Sequence, residues 1–120
     1  AYVRSLGLPI GLMTNTPRIY TEPLLEETRL MPYFDTVQCG DDLPLKKPNP
    51  APLIYAAGWF KLHPSDGLMV GDSISDLNAA RAAGFSIICT RYGYNHGEDI
   101  ADYHPDALVD SLAQLRDLVA

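Results

Sequence analysis

The stretch LMVGDSISDLNAARAAG, from Leu68 to Gly84, decides the fold. An apolar run of strand length ends on Asp72, and a helical pattern begins at once, with a second acid, Asp76, about one turn further on. A helix starting near Ser73 puts Asp72 at its N-terminal end and Gly84 at its C-cap. The LMVG strand is expected to be buried on both faces, and Gly71 lets backbone or ligand come close. Two explanations of the acids compete. Carboxylates near a helix N-terminus are favoured by capping and by the macrodipole. They are also the donors of a hard-cation site, since magnesium is met by one or two carboxylates with water and substrate phosphate.

Strands and helices alternate on either side of this stretch. LPIGLMTN (8–15) reads as a short buried strand running into a polar turn. Pro17 suits the first turn of a helix, with Thr16 as the candidate N-cap, and RIYTEPLLEETRL (18–30) continues it, although Pro23 should kink that helix or delay its start. YFDTVQCGDD (33–42) is a second strand with an acidic exit. LPLKKPNPAP (43–52) is too proline-rich for either element and is a stiff loop. LIYAAGWFKL (53–62) reads as an amphipathic helix despite Gly58, and DGLMVGD as the third strand. FSIICT (85–90) is a fourth strand, RYGYNHGEDIADYHPD (91–106) a long loop, ALV (107–109) an edge strand and DSLAQLRDLVA (110–120) a terminal helix. Such alternation implies crossover units, a parallel sheet and helices on both of its faces. Ligands of such sheets bind at the carboxyl ends of strands. That rule selects Thr14, Asp72 and Thr90, with the Lys46–Lys47 loop as a candidate for the same rim.

Composition narrows the function classes. The 120 residues are 47% hydrophobic and 20% charged, as in one soluble globular domain or part of one, and the net charge of −6 argues against a nucleic-acid binder. No apolar run reaches the length of a membrane helix, and AYVRSLGLPI lacks the apolar core of a signal peptide, so a cytoplasmic location is expected. Cys39 and Cys89 form no CxxC and read as buried thiols in a reducing compartment.

Several residues could carry chemistry. Lys47, stiffened by KKPNP, is a compact cation suited to a phosphate or to the carboxylate that attacks one; the plainer alternative is a solvated lysine, as Lys46 is read. Thr14 and Asn15 offer a hydroxyl and backbone N–H groups at a helix start, which suits a phosphate and equally suits an ordinary cap or Asx turn. His96 has no assignable partner, and His63 and His104 precede prolines as turn residues. Walker A, GxGxxG and GxSxG patterns are absent from these residues.

The order of these features resembles the haloacid dehalogenase-like hydrolases. In that family a strand-end Ser or Thr is motif II, a Lys is motif III and GDxxxD is motif IV; here LMTN supplies Thr14, KKPNP supplies Lys47 and VGDSISD supplies Asp72 and Asp76. Within the family, TNTPRIYTEPLLEE, YFDTVQCGDDLPLKKPNPAPL, VGDSISDLNAARAAG and RYGYNHGEDI are similar to segments of the bacterial phosphoglycolate phosphatase group. Thr16 stands where that group often has Lys, Asn49 and Ala51 replace the more usual His and Asp, and Ile74–Ser75 replace a common Arg–Asn pair.

The resemblance implies a Rossmann-like three-layer α/β/α fold around a parallel sheet, incomplete at its N-terminus. Motif I, the Asp-x-Asp that provides nucleophile and general acid/base, is not in these residues, and neither is the cap domain that follows it in the family. The chain is therefore expected to be the C-terminal part of a longer core domain, inactive alone. With the motif I strand missing from the middle of the sheet, exposed strand edges should favour self-association or pairing with an N-terminal piece. The implied reaction is Mg2+-dependent hydrolysis of a small phosphorylated metabolite through an aspartyl-phosphate. Asp72 would bind Mg2+, Asp76 would support the metal shell or orient Lys47, Lys47 would hold nucleophile and phosphate together, and Thr14, with Asn15 beside it, would bind the phosphoryl group. Topology in the family places Cys39 and Cys89 on opposite sides of the sheet, against a disulfide. Two rivals stand beside this. One is a non-catalytic metal- or phosphate-binding protein, or a phosphatase of another small ester. The other is a receiver-like domain, whose Asp, Thr and Lys come in a different order from Thr14, Lys47, Asp72 and Asp76.

Overall fold

A computed structural model of the chain describes residues 5–92 and 97–118. It divides into two compact units, Ala1–Lys46 and Lys47–Ala120. The Gly93–His96 part of the YGYNHGE segment lies outside the described residues, as does the end of the expected terminal helix at 119–120.

In the first unit, β1 (Gly11–Met13) pairs in parallel with β2 (Thr36–Gln38), Leu12 lying opposite Val37. Both strands are shorter than the sequence suggests, because carboxylates take the N–H groups beyond the ladder. Asp35 Oδ2 accepts from Ile10 N at 2.7 Å, and Asp42 Oδ2 from Cys39 N at 2.8 Å. The connecting helix α1 (Arg18–Glu27) buries Thr21 and Leu25. Its N-cap is Pro17 and not Thr16, a residue with no polar side chain of its own to cap the helix, and Pro23 lies inside an unbroken helix. Proline removes the hydrogen bond to the carbonyl four residues back, and here both Ile19 and Pro23 are exposed, so water can serve that carbonyl.

The second unit holds a three-stranded parallel sheet in the order β3 (Leu68–Gly71), β4 (Ser86–Thr90), β5 (Ala107–Val109). Helix α3 (Ile74–Ala83) packs on β3 and β4, and α2 (Ala51–Trp59) packs on α3. Leu53, Leu77, Ala79, Ala80, Ile87 and Cys89 are fully buried between these layers. Alternating strands and helices thus give parallel pairings, as expected.

Three local expectations are corrected. β3 is not buried on both faces: Met69 is 8% exposed, but Leu68 and Val70, on the opposite face, are 44% and 36% exposed. α2 is not amphipathic. Leu53, Ala56 and Ala57 face inward, while Ile54, Tyr55 and Trp59 stand in solvent, so the helix is apolar all round. The terminal segment is a short 3-10 helix, Leu112–Asp117, with Leu112 and Leu118 about half exposed. Gln114 caps its start by accepting from Ser111 N at 3.2 Å. A 3-10 helix, Ile100–Tyr103, also lies within the expected long loop.

Candidate functional site

In the second unit the strand–helix junction builds its own cluster. β3 delivers Asp72, and α3 starts near Ser73 as expected, with Ser73 itself as the N-cap. The two ends of a capping box close on each other: Ser73 Oγ accepts from Asp76 N at 3.2 Å, and Asp76 Oδ2 accepts from Ser73 N at 3.3 Å and Asp72 N at 3.2 Å. The other oxygen, Asp76 Oδ1, receives Lys47 Nζ at 2.5 Å. The two side chains are only 10% and 8% exposed, so this is a buried ion pair, while Lys46 is exposed. Asp76 is therefore a helix cap and the counter-ion of Lys47 at once. Lys47 precedes a cis peptide bond to Pro48, and Asn49 Oδ1 accepts from Ala51 N at 2.9 Å at the start of α2. Asn49, one of the departures from the group's pattern, thus starts that helix with an Asx turn.

Gly71 and Gly84 shape the two ends of this segment. A Cβ at Gly71 would lie 2.5 Å from Asp76 Cβ and 2.6 Å from Asp76 Oδ2. Gly84 has φ +88° and ends α3 in the left-handed conformation, the expected C-cap.

The first unit carries Thr14 and Asn15 at the carboxyl end of β1. Thr14 N donates to Gln38 O at 3.0 Å, prolonging the ladder by one bond. Thr14 Oγ1 accepts from Thr16 N at 3.1 Å, which leaves the hydroxyl hydrogen to be donated elsewhere. Gly40 N donates to Thr16 O at 2.9 Å, and a Cβ at Gly40 would overlap the Asn15 carbonyl. A clamp unremarked in the sequence surrounds the start of α1. Arg18 donates to Glu22 Oε1 at 2.7 Å, to Val37 O at 2.9 Å and to both oxygens of Asp42 at 3.2 and 2.5 Å. Asp41 accepts from Arg18 N at 3.0 Å and does the capping expected of Thr16. The Arg18 guanidinium holds the Asp42 carboxyl below the usual carboxylate range, and the two acids raise the pKa of Arg18 in turn. The GDD exit of β2 was a legible signal for such a partner.

Gln38 carries no local signal in the sequence. Its side chain is buried, and neither amide atom has a hydrogen-bond partner among the described residues. Thr90, selected at the rim, is buried and donates to Tyr92 O at 3.2 Å. Cys39 and Cys89 are free, buried thiols; burial raises both, that of Cys89 to about 11. His63 Nδ1 accepts from Ser65 N at 3.1 Å, a turn role as expected, and His96 lies outside the described residues.

Magnesium asks for oxygen donors and needs only one or two from the protein. Asp72, exposed at the end of β3, is a donor of that kind; the oxygens of Asp76 receive Lys47 Nζ and backbone N–H groups. Among the described residues, no group of three or more His, Cys, Asp or Glu is placed to hold a metal. The donor set suits a cation that keeps most of its water and does not suit one that needs a full protein cage.

The chain belongs to the haloacid dehalogenase-like hydrolases, whose family profile it matches over residues 1–90. It is 50% identical over 120 residues to a phosphoglycolate phosphatase of Nitrosococcus oceani, covering 100% of this chain and 53% of that protein. A phosphoglycolate phosphatase of Nitrosospira multiformis is 44% identical over 117 residues, covering 98% and 52%. A crystal structure of a predicted phosphoglycolate phosphatase from Haemophilus somnus superposes with TM-score 0.96 at 34% identity, covering 99% of this chain and 53% of that one. The chain thus spans about half the length of the curated relatives it matches. Among the described residues no helix is long and apolar enough to cross a membrane.

Proposed function

We propose that the chain is the C-terminal part of a Mg2+-dependent phosphomonoester hydrolase acting on 2-phosphoglycolate. The observation that carries this is the Lys47–Asp76 pair, buried beside the strand-end Asp72, in a chain 50% identical to a phosphoglycolate phosphatase. A carboxylate nucleophile and a phosphate dianion repel each other, so their reaction needs fixed positive charge. Lys47, its ammonium fixed by Asp76, supplies one such charge. Magnesium, when bound, neutralises phosphoryl oxygens, and Asp72 is the residue of this chain that would hold it.

The Thr14 hydroxyl, engaged as an acceptor by Thr16 N, donates its hydrogen to a phosphoryl oxygen, with Asn15 beside it. The attacking aspartate comes from an Asp-x-Asp that is not among these 120 residues. Its carboxylate oxygen bonds to phosphorus as the ester P–O bond breaks and glycolate leaves; water then releases phosphate from the aspartyl-phosphate. The small acid substrate, a cytoplasmic location, and pairing with the N-terminal part or with a second copy belong to the same proposal.

The test is phosphate release from 2-phosphoglycolate, with and without Mg2+. It compares the chain alone with the chain fused to the N-terminal half of the Nitrosococcus oceani relative. We expect no release from the chain alone, and Mg2+-dependent release from the fusion that is lost in Asp72→Ala. Release by the chain alone that survives Asp72→Ala, or a fusion hydrolysing only other phosphate esters, would count against the proposal.

A further inference from the structure

We infer that Gly71 is a positioning residue for Lys47, acting through Asp76: its missing side chain is the space in which the Asp76 carboxylate sits. The inference deepens the reading of Lys47 above and rests on it only for its bearing on catalysis.

A Cβ built on Gly71 lies 2.5 Å from Asp76 Cβ, 2.7 Å from Cγ and 2.6 Å from Oδ2. Real Cβ contacts do not come this close, so something must shift. The nearest atom is not the end of a flexible chain. Asp76 Cβ is fixed by the first turn of α3, and the carboxylate beyond it is tied to Asp72 N, Ser73 N and Lys47 Nζ. Gly71 is paired in register with Cys89 of β4, so the strand can retreat only by moving away from α3 and straining that pairing. An added methyl must therefore turn the carboxylate away or part the strand from the helix, and either movement takes Oδ1 from Lys47.

Backbone conformation does not confound this. Gly71 is an ordinary strand residue with no positive φ, so alanine meets no torsional barrier there and is intrinsically better suited to a strand than glycine. Any loss in Gly71→Ala then arises from the collision with Asp76. Gly58 is the matching control: it lies within α2, and a Cβ there meets nothing within 4 Å.

The experiment measures acylation of Lys47 by a water-soluble anhydride, read by peptide mass spectrometry, with exposed Lys46 in the same peptide region as internal standard. In the unaltered chain Lys47 should react more slowly than Lys46 by on the order of tenfold or more, and Gly71→Ala should bring the two rates together. Gly58→Ala should leave the ratio unchanged. Equal rates in the unaltered chain, a ratio unmoved by Gly71→Ala, or the same loss of protection in Gly58→Ala would overturn the inference. Should Gly71→Ala show no cooperative melt, it is placed in an Asp76→Gly background, where no side chain remains to be met. A melt at the temperature of Asp76→Gly alone upholds the inference, and no recovery overturns it. The readout involves no turnover, so an inactive fusion would sink the proposed activity while leaving this result to be judged by the acylation rates alone.

Discussion

Lys47 Nζ and Asp76 Oδ1 lie 2.5 Å apart with both side chains at most 10% exposed, although 29 residues separate them in the chain. The same carboxylate caps α3, so one side chain ties the proline-rich loop to the helix that follows β3. A pair this buried is costly to break from one side, because the remaining charge stays out of water without a partner.

Asp76→Ala should accordingly cost about 3–5 kcal/mol of unfolding free energy, measured by urea denaturation. Replacing both partners, as Lys47→Met with Asp76→Ala, should cost clearly less than the sum of the two single changes. Strict additivity would show that the pair does not stabilise the fold in this way.

Acid should weaken the clamp around Arg18. Asp42 is held below its usual pKa of 3.8, chiefly by the Arg18 guanidinium, so the folded chain binds its proton less readily than the unfolded chain. The stability it contributes is fully present above about pH 3.8 and is lost as the pH falls through the lower, folded value. Both side chains are partly exposed, so the contribution is under about 1 kcal/mol and falls with added salt. The gap in urea midpoint between the unaltered chain and Asp42→Asn should therefore shrink as the pH is lowered from 6 toward 2. A gap that widens on acidification would contradict the assignment.

Neither cysteine should be reactive in the folded state. Cys89 is fully buried with its thiol pushed up to about 11, and Cys39 is 4% exposed with its thiol raised by burial. Labelling with a disulfide reagent at neutral pH should be slow in buffer and reach two thiols per chain in urea. Rapid labelling of either cysteine without denaturant would refute this.

Two glycines should respond to alanine with opposite signs. At Gly40 the new methyl would overlap the backbone carbonyl of Asn15, which cannot give way as a side-chain end can, so Gly40→Ala should lower the melting temperature. Gly58 is exposed within α2 with open space around it, and Gly58→Ala should add about 0.5–1 kcal/mol. Thermal melts of the two variants decide the matter.

Gln38 offers a gain from removing polarity. Its amide is buried without a partner among the described residues, and a group left in that state forfeits its hydration. Gln38→Met, similar in shape and apolar, should raise stability by about 1 kcal/mol in urea unfolding. A loss of that size would mean that the amide has a partner after all.

Much of the chain was legible as sequence because its signals are local. A helix start near Ser73, Gly84 as C-cap and the alternation of strand and helix each depend on residues within a few positions of one another, so torsional preference and capping chemistry suffice to read them. The order Thr14, Lys47, Asp72, Asp76 was enough to suggest the family. Elements whose extent depends on packing were misread. The terminal segment has the composition of an α-helix, yet its Leu112 and Leu118 stand about half exposed, and α2 looks amphipathic until its outward Ile54, Tyr55 and Trp59 are seen. Strand–helix order follows from the sequence alone, because it rests on short-range pattern and capping chemistry. Only the tertiary structure decided that Asp76 spends both oxygens on Lys47 and on backbone N–H groups, that Arg18 gathers Glu22 and Asp42, and that Gly71 makes room for a carboxylate. Those relationships depend on distances between atoms that the chain brings together only once it has folded.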